Sequence, residues 1–328
     1  MAPLPPIVSK YVRGAASFVP PLRRAVEEHD RLVAERHRRD QIVHQAEELQ
    51  ARAPQFMPPG HFYSPIPILD DVRRDDARLF APLRELPGID LDEAGQLELL
   101  SRLLPYYREV DFPEQKEARR RFWFENPAYS YSDAIFLHCM IRHCKPKRFI
   151  EVGSGFSSCM TLDTNEQYFG NRIECAFIEP YPELLRSLLR PEDHERIEIV
   201  STRVQDVGLR RFSALEAGDI LFIDSTHVVK AGSDVNYLYF EVLPVLKPGV
   251  FVHIHDIFVS FQYPRPWVLE GRQWSEGYLL RAFLMYNKSF RIRLFNTFLE
   301  AFHEEWFARE MPLCLRNTGG SIWLERTG

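Results

Sequence analysis

Arg148-Phe149-Ile150-Glu151-Val152-Gly153-Ser154-Gly155-Phe156-Ser157-Ser158 is the stretch on which the reading of this chain turns. An apolar run of strand character meets Gly-Ser-Gly and passes into residues with a helical pattern. Glycine carries no Cβ, so Gly153 and Gly155 let the backbone turn tightly and let a ligand lie against it, with the free N–H groups of the next helix aimed at the same place. The third position of a dinucleotide fingerprint falls on Ser158, which is small, so the turn alone leaves a nicotinamide cofactor open. Glu151 discriminates better. A carboxylate beside the ligand suits a cationic or amine-bearing group more than a pyrophosphate.

Around this stretch the composition is that of a globular chain: 328 residues, 45% hydrophobic and 27% charged, enough for one large domain or an ordinary core with an appendage. A net charge of -5 gives no electrostatic reason to expect a nucleic-acid partner. The cysteines, 139, 144, 159, 175 and 314, are odd in number and lack CxxC spacing, which points to a reduced, cytoplasmic setting. The opening Met1-Ala2-Pro3-Leu4-Pro5-Pro6-Ile7 does not read as a signal peptide, and no run reaches the apolar length of a membrane span.

Residues 21–50 are densely charged, with Leu22, Val26, Val33, Val43 and Leu49 at loosely helical spacing. A long amphipathic helix follows, either solvated on the domain or a dimerising coil that would make the protein a homodimer. Ala53-Pro54 through Pro59-Gly60 breaks it, and the aromatic, Pro-rich segment His61 to Pro67 is extended, either a connecting arm or part of a lid that would bring Tyr63 to a substrate. Leu97, Leu100, Leu103 and Leu104 mark a helix that Pro105 should stop, and Ala134 to His143 marks another, with Ser132 or Asp133 as N-cap. From 148 onward strands alternate with helices: strands at 148–152, 173–178, 196–201, 219–224 and 250–255, with helices at about 157–168, 182–189, 209–216, 233–246 and 275–287. Such alternation means a parallel sheet covered on both faces. Strands at 290–295 and 320–325, with a short helical stretch near 298–310 between them, should pair antiparallel at a sheet edge. The expected fold is therefore α/β: a Rossmann-like, seven-stranded, mostly parallel sheet with a C-terminal antiparallel strand pair over residues 130–328, plus a mainly helical extension over 1–129.

Taken together, Glu151-x-Gly153-x-Gly155 after the first strand, Glu179 after the second, Asp206 after the third, Asp224 after the fourth and the terminal strand pair resemble a class I S-adenosylmethionine-dependent methyltransferase. Phe222-Ile223-Asp224-Ser225-Thr226-His227, Leu246-Lys247-Pro248-Gly249 and His253-Ile254-His255-Asp256 look like the bacterial branch that includes macrocin-type sugar O-methyltransferases. The resemblance implies S-adenosylmethionine as cofactor, methylation of a hydroxyl on a small acceptor such as a sugar or natural product, and often a divalent metal.

On that reading Glu151, Gly153, Ser154, Gly155, Ser157, Ser158, Glu179, Asp206 and Asp224 hold the cofactor. Glu151 meets the methionine amino end, unless it pairs instead with a basic group such as Lys147. Glu179 accepts the ribose hydroxyl protons. Asp206 accepts the adenine amino group or caps the following helix. Asp224 and Asp256 end adjacent strands about 5 Å apart, so they either share a hard cation such as Mg²⁺ or orient His227 and His255. His227 is the expected general base. His253 reads as a hydrogen-bonded core histidine. Arg265, Arg272 and Arg281 suit an acidic acceptor, and Trp267 and Trp274 offer flat faces to a ring, with Arg272 and Trp274 the chosen substrate contacts. Two rival readings stand beside this one: a nicotinamide-dependent oxidoreductase, and a catalytically silent methyltransferase-like binding module.

Overall fold

The computed structural model describes residues 20–53 and 56–328, so the opening Met1–Ile7 and the break at Pro54 lie outside the described residues. Two compact units are present, Met1–Ile68 and Leu69–Gly328. The division falls at 68/69 and not at 129/130, because 69–129 pack onto the sheet unit: the helix α2 (Glu93–Tyr107) lies against both the helix α3 (Tyr131–Cys144) and strand β6 (Phe290–Phe295).

In the first unit the charged segment forms one helix, α1 (Pro20–Arg52), on which Leu32, Val33 and Val43 are exposed. Tyr63 belongs to this unit as well, exposed, with its ring 4.2 Å from that of Phe62. Among the described residues no helix is long and apolar enough to cross a membrane.

The second unit is built on a seven-stranded sheet in the order β3-β2-β1-β4-β5-β7-β6. Its strands are β1 (Arg148–Val152), β2 (Glu174–Ile178), β3 (Glu198–Val200), β4 (Ile220–Ile223), β5 (Phe251–His255), β6 and β7 (Ser321–Arg326). The first five are parallel, and β7 runs antiparallel to both β5 and β6. The terminal strands thus pair as expected, with β7 inserted inside the edge and β6 on it. Ile220, Leu221, Phe222 and Ile223 are all fully buried, as a strand covered on both faces must be. Each such side chain contributes about 1.5–3 kcal/mol by leaving water.

Two helix ends depart from the expected ones. Pro105 lies inside α2, which runs on to Tyr107. A proline this near the C-terminus forfeits one backbone hydrogen bond, and buried Leu99, Leu100 and Leu103 hold the helix regardless. Helix α3 starts at Tyr131 with Ser130 at the N-cap position, so Ser132 and Asp133 sit buried in its first turn. Before it, Arg121 anchors the 112–124 segment to the sheet unit. Its buried guanidinium reaches Asp163 and Glu166 at 2.7 Å and donates to Asp193 from Nε at 2.7 Å. The Asp163 carboxylate also accepts the backbone N–H groups of Arg121 and Phe122 at 2.9 Å.

Candidate active site

The two glycines of the turn do different work. Gly153 has φ of 81°, and a Cβ there would stand 1.7 Å from the Asp224 carbonyl oxygen, so only glycine lets the loops after β1 and β4 touch. Gly155 is extended, and a Cβ on it would meet nothing closer than Leu184 Cδ2 at 3.5 Å. Behind the turn the helix α4 (Phe156–Thr164) begins, and its Ser157 and Ser158 hydroxyls donate to Glu151 Oε1 at 2.6 and 2.9 Å. Ser158 Oγ also accepts from the Gly155 N–H at 3.1 Å. Glu151 is fully buried and its Oε2 has no protein partner. Burial pushes its carboxyl up to about 8, against the two hydroxyls that pull it down. Its partners are thus serines, and Lys147 is not among them.

A cleft of about 400 Å³ opens beside the turn, bordered by Gly153, Glu179, Tyr181, Val204, Asp224 and Thr226. Glu179 is fixed by two backbone donors, Ser154 N–H to Oε2 at 3.2 Å and Tyr181 N–H to Oε1 at 2.8 Å. Asp206 sits apart from the cleft, exposed, with both oxygens taken by Arg203 at 2.9 and 3.0 Å. It does not cap the short helix that follows, Arg210–Ser213, which has Leu209 at its N-cap.

On the far side of Asp224 the ends of β4 and β5 lie in register, and the next residues, Asp224 and Asp256, share an imidazole between them. His227 Nε2 is 3.3 Å from Asp224 Oδ1 and 3.4 Å from Asp256 Oδ2. His227 and Asp256 both adopt left-handed backbone, at φ of 60° and 55°, a conformation that costs non-glycine residues energy and clusters at functional sites. The other ring nitrogen, Nδ1, is 2.9 Å from Glu276 Oε2, a fully buried carboxyl at the start of helix α6, which follows the α5 segment (234–245) and spans Glu276–Leu284. The backbone N–H groups of Ser275 and Glu276 donate to the His227 carbonyl at 2.8 and 3.0 Å, which clamps the loop to the helix.

A second histidine completes the cluster. His255 Nδ1 lies 3.3 Å from Asp224 Oδ1 and 3.6 Å from Asp256 Oδ2, and its Nε2 is 3.4 Å from Asp133 Oδ2. Asp133 in turn accepts from the Gly320 N–H at 3.0 Å and from Asn296 Nδ2 at 3.1 Å. Burial would raise the Asp224 carboxyl, yet His255 and His227 hold it well below the usual range. For His227 burial favours the neutral ring, but hydrogen bonds to Asp224 and Glu276 outweigh it and bring the imidazole to about 10. His253 differs from the expected hydrogen-bonded residue. Its ring stacks on Phe222 at 4.1 Å, neither nitrogen has a protein partner, and burial drives its pKa well below the ordinary histidine value.

Of the aromatic loop, Trp274 packs its ring 4.6 Å from that of His227, and Arg272 lies over Trp267 at 4.2 Å. Arg265 is paired with Asp76. Glu276, His255 and Asp133 carry more of this centre than their sequence positions announce. Glu276 follows a Trp-Ser pair in an ordinary helix start, and only the fold brings it under a histidine 49 positions earlier.

Comparisons with known proteins bear on this geometry. A family model described as a methyltransferase domain matches residues 150–257, the span from β1 to the residue after Asp256. An uncharacterised protein of Archaeoglobus fulgidus is 36% identical over 181 residues, which make up 53% of this chain and 80% of that protein. Residues 150–257 thus carry a methyltransferase domain. That match favours a methyltransferase over the nicotinamide-dependent oxidoreductase. Solved structures that resemble this chain include the O-methyltransferase TomG of Streptomyces achromogenes, at 16% identity and a TM-score of 0.40 over 79% of this chain and 96% of that one. Another is the methyltransferase PaMTH1 of Podospora anserina, at 12% identity and a TM-score of 0.40 over 84% and 99%. A third is a putative caffeoyl-CoA O-methyltransferase of Staphylococcus aureus, at 13% and 0.41 over 73% and 100%.

Proposed function

We propose that this methyltransferase moves the methyl group of S-adenosylmethionine to a hydroxyl of a small polar acceptor, a sugar or natural product, and activates that hydroxyl at Asp224, His227 and Asp256. The observation that carries the reading is the convergence of His227 Nε2 on both carboxylates at 3.3 and 3.4 Å, with Asp224 also bordering the cleft beside the glycine turn. The sulfonium is already a good electrophile. Much of the rate therefore comes from holding donor and acceptor in line, and activation of the hydroxyl adds about 10²–10⁴.

Each residue then has a defined task. Glu151 and Glu179 take the amino end and the ribose of the cofactor, the first through its unpartnered Oε2. Trp274, against the His227 ring, offers the acceptor a flat apolar face, and Arg272 borders the same wall. Glu276 fixes Nδ1 of His227 and leaves Nε2 as the working atom. A divalent cation at Asp224 and Asp256 would supply a lowered hydroxyl pKa when bound. The lone pair on Nε2 serves either as the proton acceptor or as a ligand to that cation, since it cannot do both.

The test is methyl transfer from labelled S-adenosylmethionine to a panel of sugar and phenolic hydroxyls, with S-adenosylhomocysteine affinity measured alongside. Label on oxygen, lost by at least about 100-fold in His227→Ala with the cofactor affinity nearly unchanged, is the expected result. Cofactor binding without transfer to any hydroxyl would leave only the silent binding module.

A further inference from the structure

Helix α7 (Asn296–Phe302), which follows β6, lines one side of a pocket of about 550 Å³ with Thr297 and Glu300, one turn apart. None of the residues around this pocket borders the cleft beside the glycine turn. Phe80, Phe258, Tyr263 and Leu315 give its other walls apolar surface. Those walls are pinned to each other. Ser260 Oγ accepts the Leu83 N–H at 2.8 Å and donates to the Ala81 carbonyl at 3.3 Å, and Ser260 and Phe261 hold left-handed backbone at φ of 64° and 57°. A preformed, mostly apolar cavity with a few convergent polar groups is the usual form of a small-molecule site, and such sites run to about 300–1,000 Å³.

The polar side of the pocket is incompletely paired. Glu300 is 4% exposed and Thr297 9%. Glu300 Oε1 accepts from Ser132 Oγ at 2.5 Å, whereas Glu300 Oε2 and Thr297 Oγ1 are buried with no protein partner. Buried polar atoms are nearly always paired, so two orphaned oxygens on one face of one helix, beside a cavity, mark the place of a ligand's donor. Charge says what kind. Among the described residues lining the pocket the one cation, Arg265, is taken by Asp76, and Glu304 adds a second, exposed carboxylate. An anion is repelled there and an ammonium group attracted. Burial pushes the Glu300 carboxyl well above its ordinary range, with the Asp133 charge adding to the effect, and a cation beside Oε2 would reverse it.

We propose that this pocket binds a small organic amine, its ammonium group donating to Glu300 Oε2 and Thr297 Oγ1 and its apolar or aromatic body lying between Phe258, Tyr263 and Leu315. The site is separate from the reaction centre and depends neither on the identity of the methyl acceptor nor on a cation at Asp224 and Asp256.

Full-length protein is titrated calorimetrically with tryptamine, tryptophol and indole-3-acetate, which carry one ring system on a cationic, a neutral and an anionic tail. Tryptamine should bind at least about 10-fold more tightly than either of the others, the difference a charge-assisted hydrogen bond supplies. Glu300→Gln should remove that preference and leave tryptophol within about 3-fold. Ala301→Trp, at an exposed position of the same helix that lines the pocket, should fill it and weaken both indoles at least about 10-fold. Saturating S-adenosylhomocysteine should leave the tryptamine affinity within about 3-fold. Indole-3-acetate binding as tightly as tryptamine, no binding by any of the three, or tryptamine binding indifferent to Glu300→Gln or to Ala301→Trp each overturns the proposal. So does competition with S-adenosylhomocysteine, which would put the amine at the reaction centre. The order of the three probes on the parent protein and the Ala301→Trp result decide the matter even if Glu300→Gln does not fold.

Discussion

Replacing Gly153 by alanine tests how the cofactor turn and the reaction centre are joined. The new methyl would stand 1.7 Å from the Asp224 carbonyl oxygen, so the loops after β1 and β4 must part by about 1.5 Å to restore an ordinary carbon–oxygen contact. That shift cannot spare the flanking backbone bonds, Asp224 N–H to Val152 O at 2.8 Å and Gly153 N–H to Ile178 O at 3.0 Å. Losing one such bond in a buried position costs about 1–3 kcal/mol. Alanine at φ of 81° adds about 1–2 kcal/mol, and the lower entropy of its unfolded chain returns about 0.4–1 kcal/mol. The sum is about 1–5 kcal/mol, or roughly 2–18 °C in melting temperature for a unit of this size. Gly155→Ala is the control. Its methyl meets only Leu184 at 3.5 Å on extended backbone, so stability should change by less than about 1 kcal/mol. Thermal unfolding of both variants, with S-adenosylhomocysteine titrated by calorimetry, separates the cases. A Gly153→Ala protein that melts within about 2 °C of the parent and binds the cofactor equally well would refute the argument, as would a Gly155→Ala protein that is equally damaged.

Two further predictions rest on buried charge. Glu151 sits at about 8 in the folded protein against an ordinary value of 4.5, so the folded state holds its proton longer than the unfolded chain. The stability this group contributes is complete below pH 4.5 and is lost as pH climbs through about 8; Glu151→Gln should flatten the fall in urea-unfolding free energy between those limits, and an unchanged slope would show that Glu151 is ionised throughout. Arg121→Met leaves Asp163 and Asp193 buried without their cation and should cost about 3–5 kcal/mol in the same experiment, whereas a loss under 1 kcal/mol would mean that the carboxylates find water or protons at little expense.

Much of this protein is legible along the chain because the relevant forces are local. The strands β1, β2, β4 and β5 declare themselves as apolar runs between turn residues, and the carboxylates at their ends follow from strand length alone. Even the antiparallel finish is written in Phe290–Phe295 and Ser321–Arg326. The expected helix stop at Pro105 failed for a non-local reason, since packing of Leu99, Leu100 and Leu103 outweighs one forfeited hydrogen bond. Asp206 failed as a helix cap for a local reason, since Arg203, in the same turn, holds its carboxylate and Leu209 stands at the N-cap of the next helix.

Sequence by itself determined the alternation of strand and helix, the glycine turn and the set of acidic strand ends, because each depends on neighbours within a few residues. Tertiary structure alone decided what surrounds them. Asp133 and Glu276 come from helices 122 and 49 positions away from the histidines they support, and no periodicity connects residues that meet only when a sheet closes. The same holds for Gly153, where the turn called for flexibility but the need for glycine comes from an Asp224 carbonyl 71 residues on. Contacts of that kind are fixed by which strands lie side by side, and strand order is a property of the folded sheet.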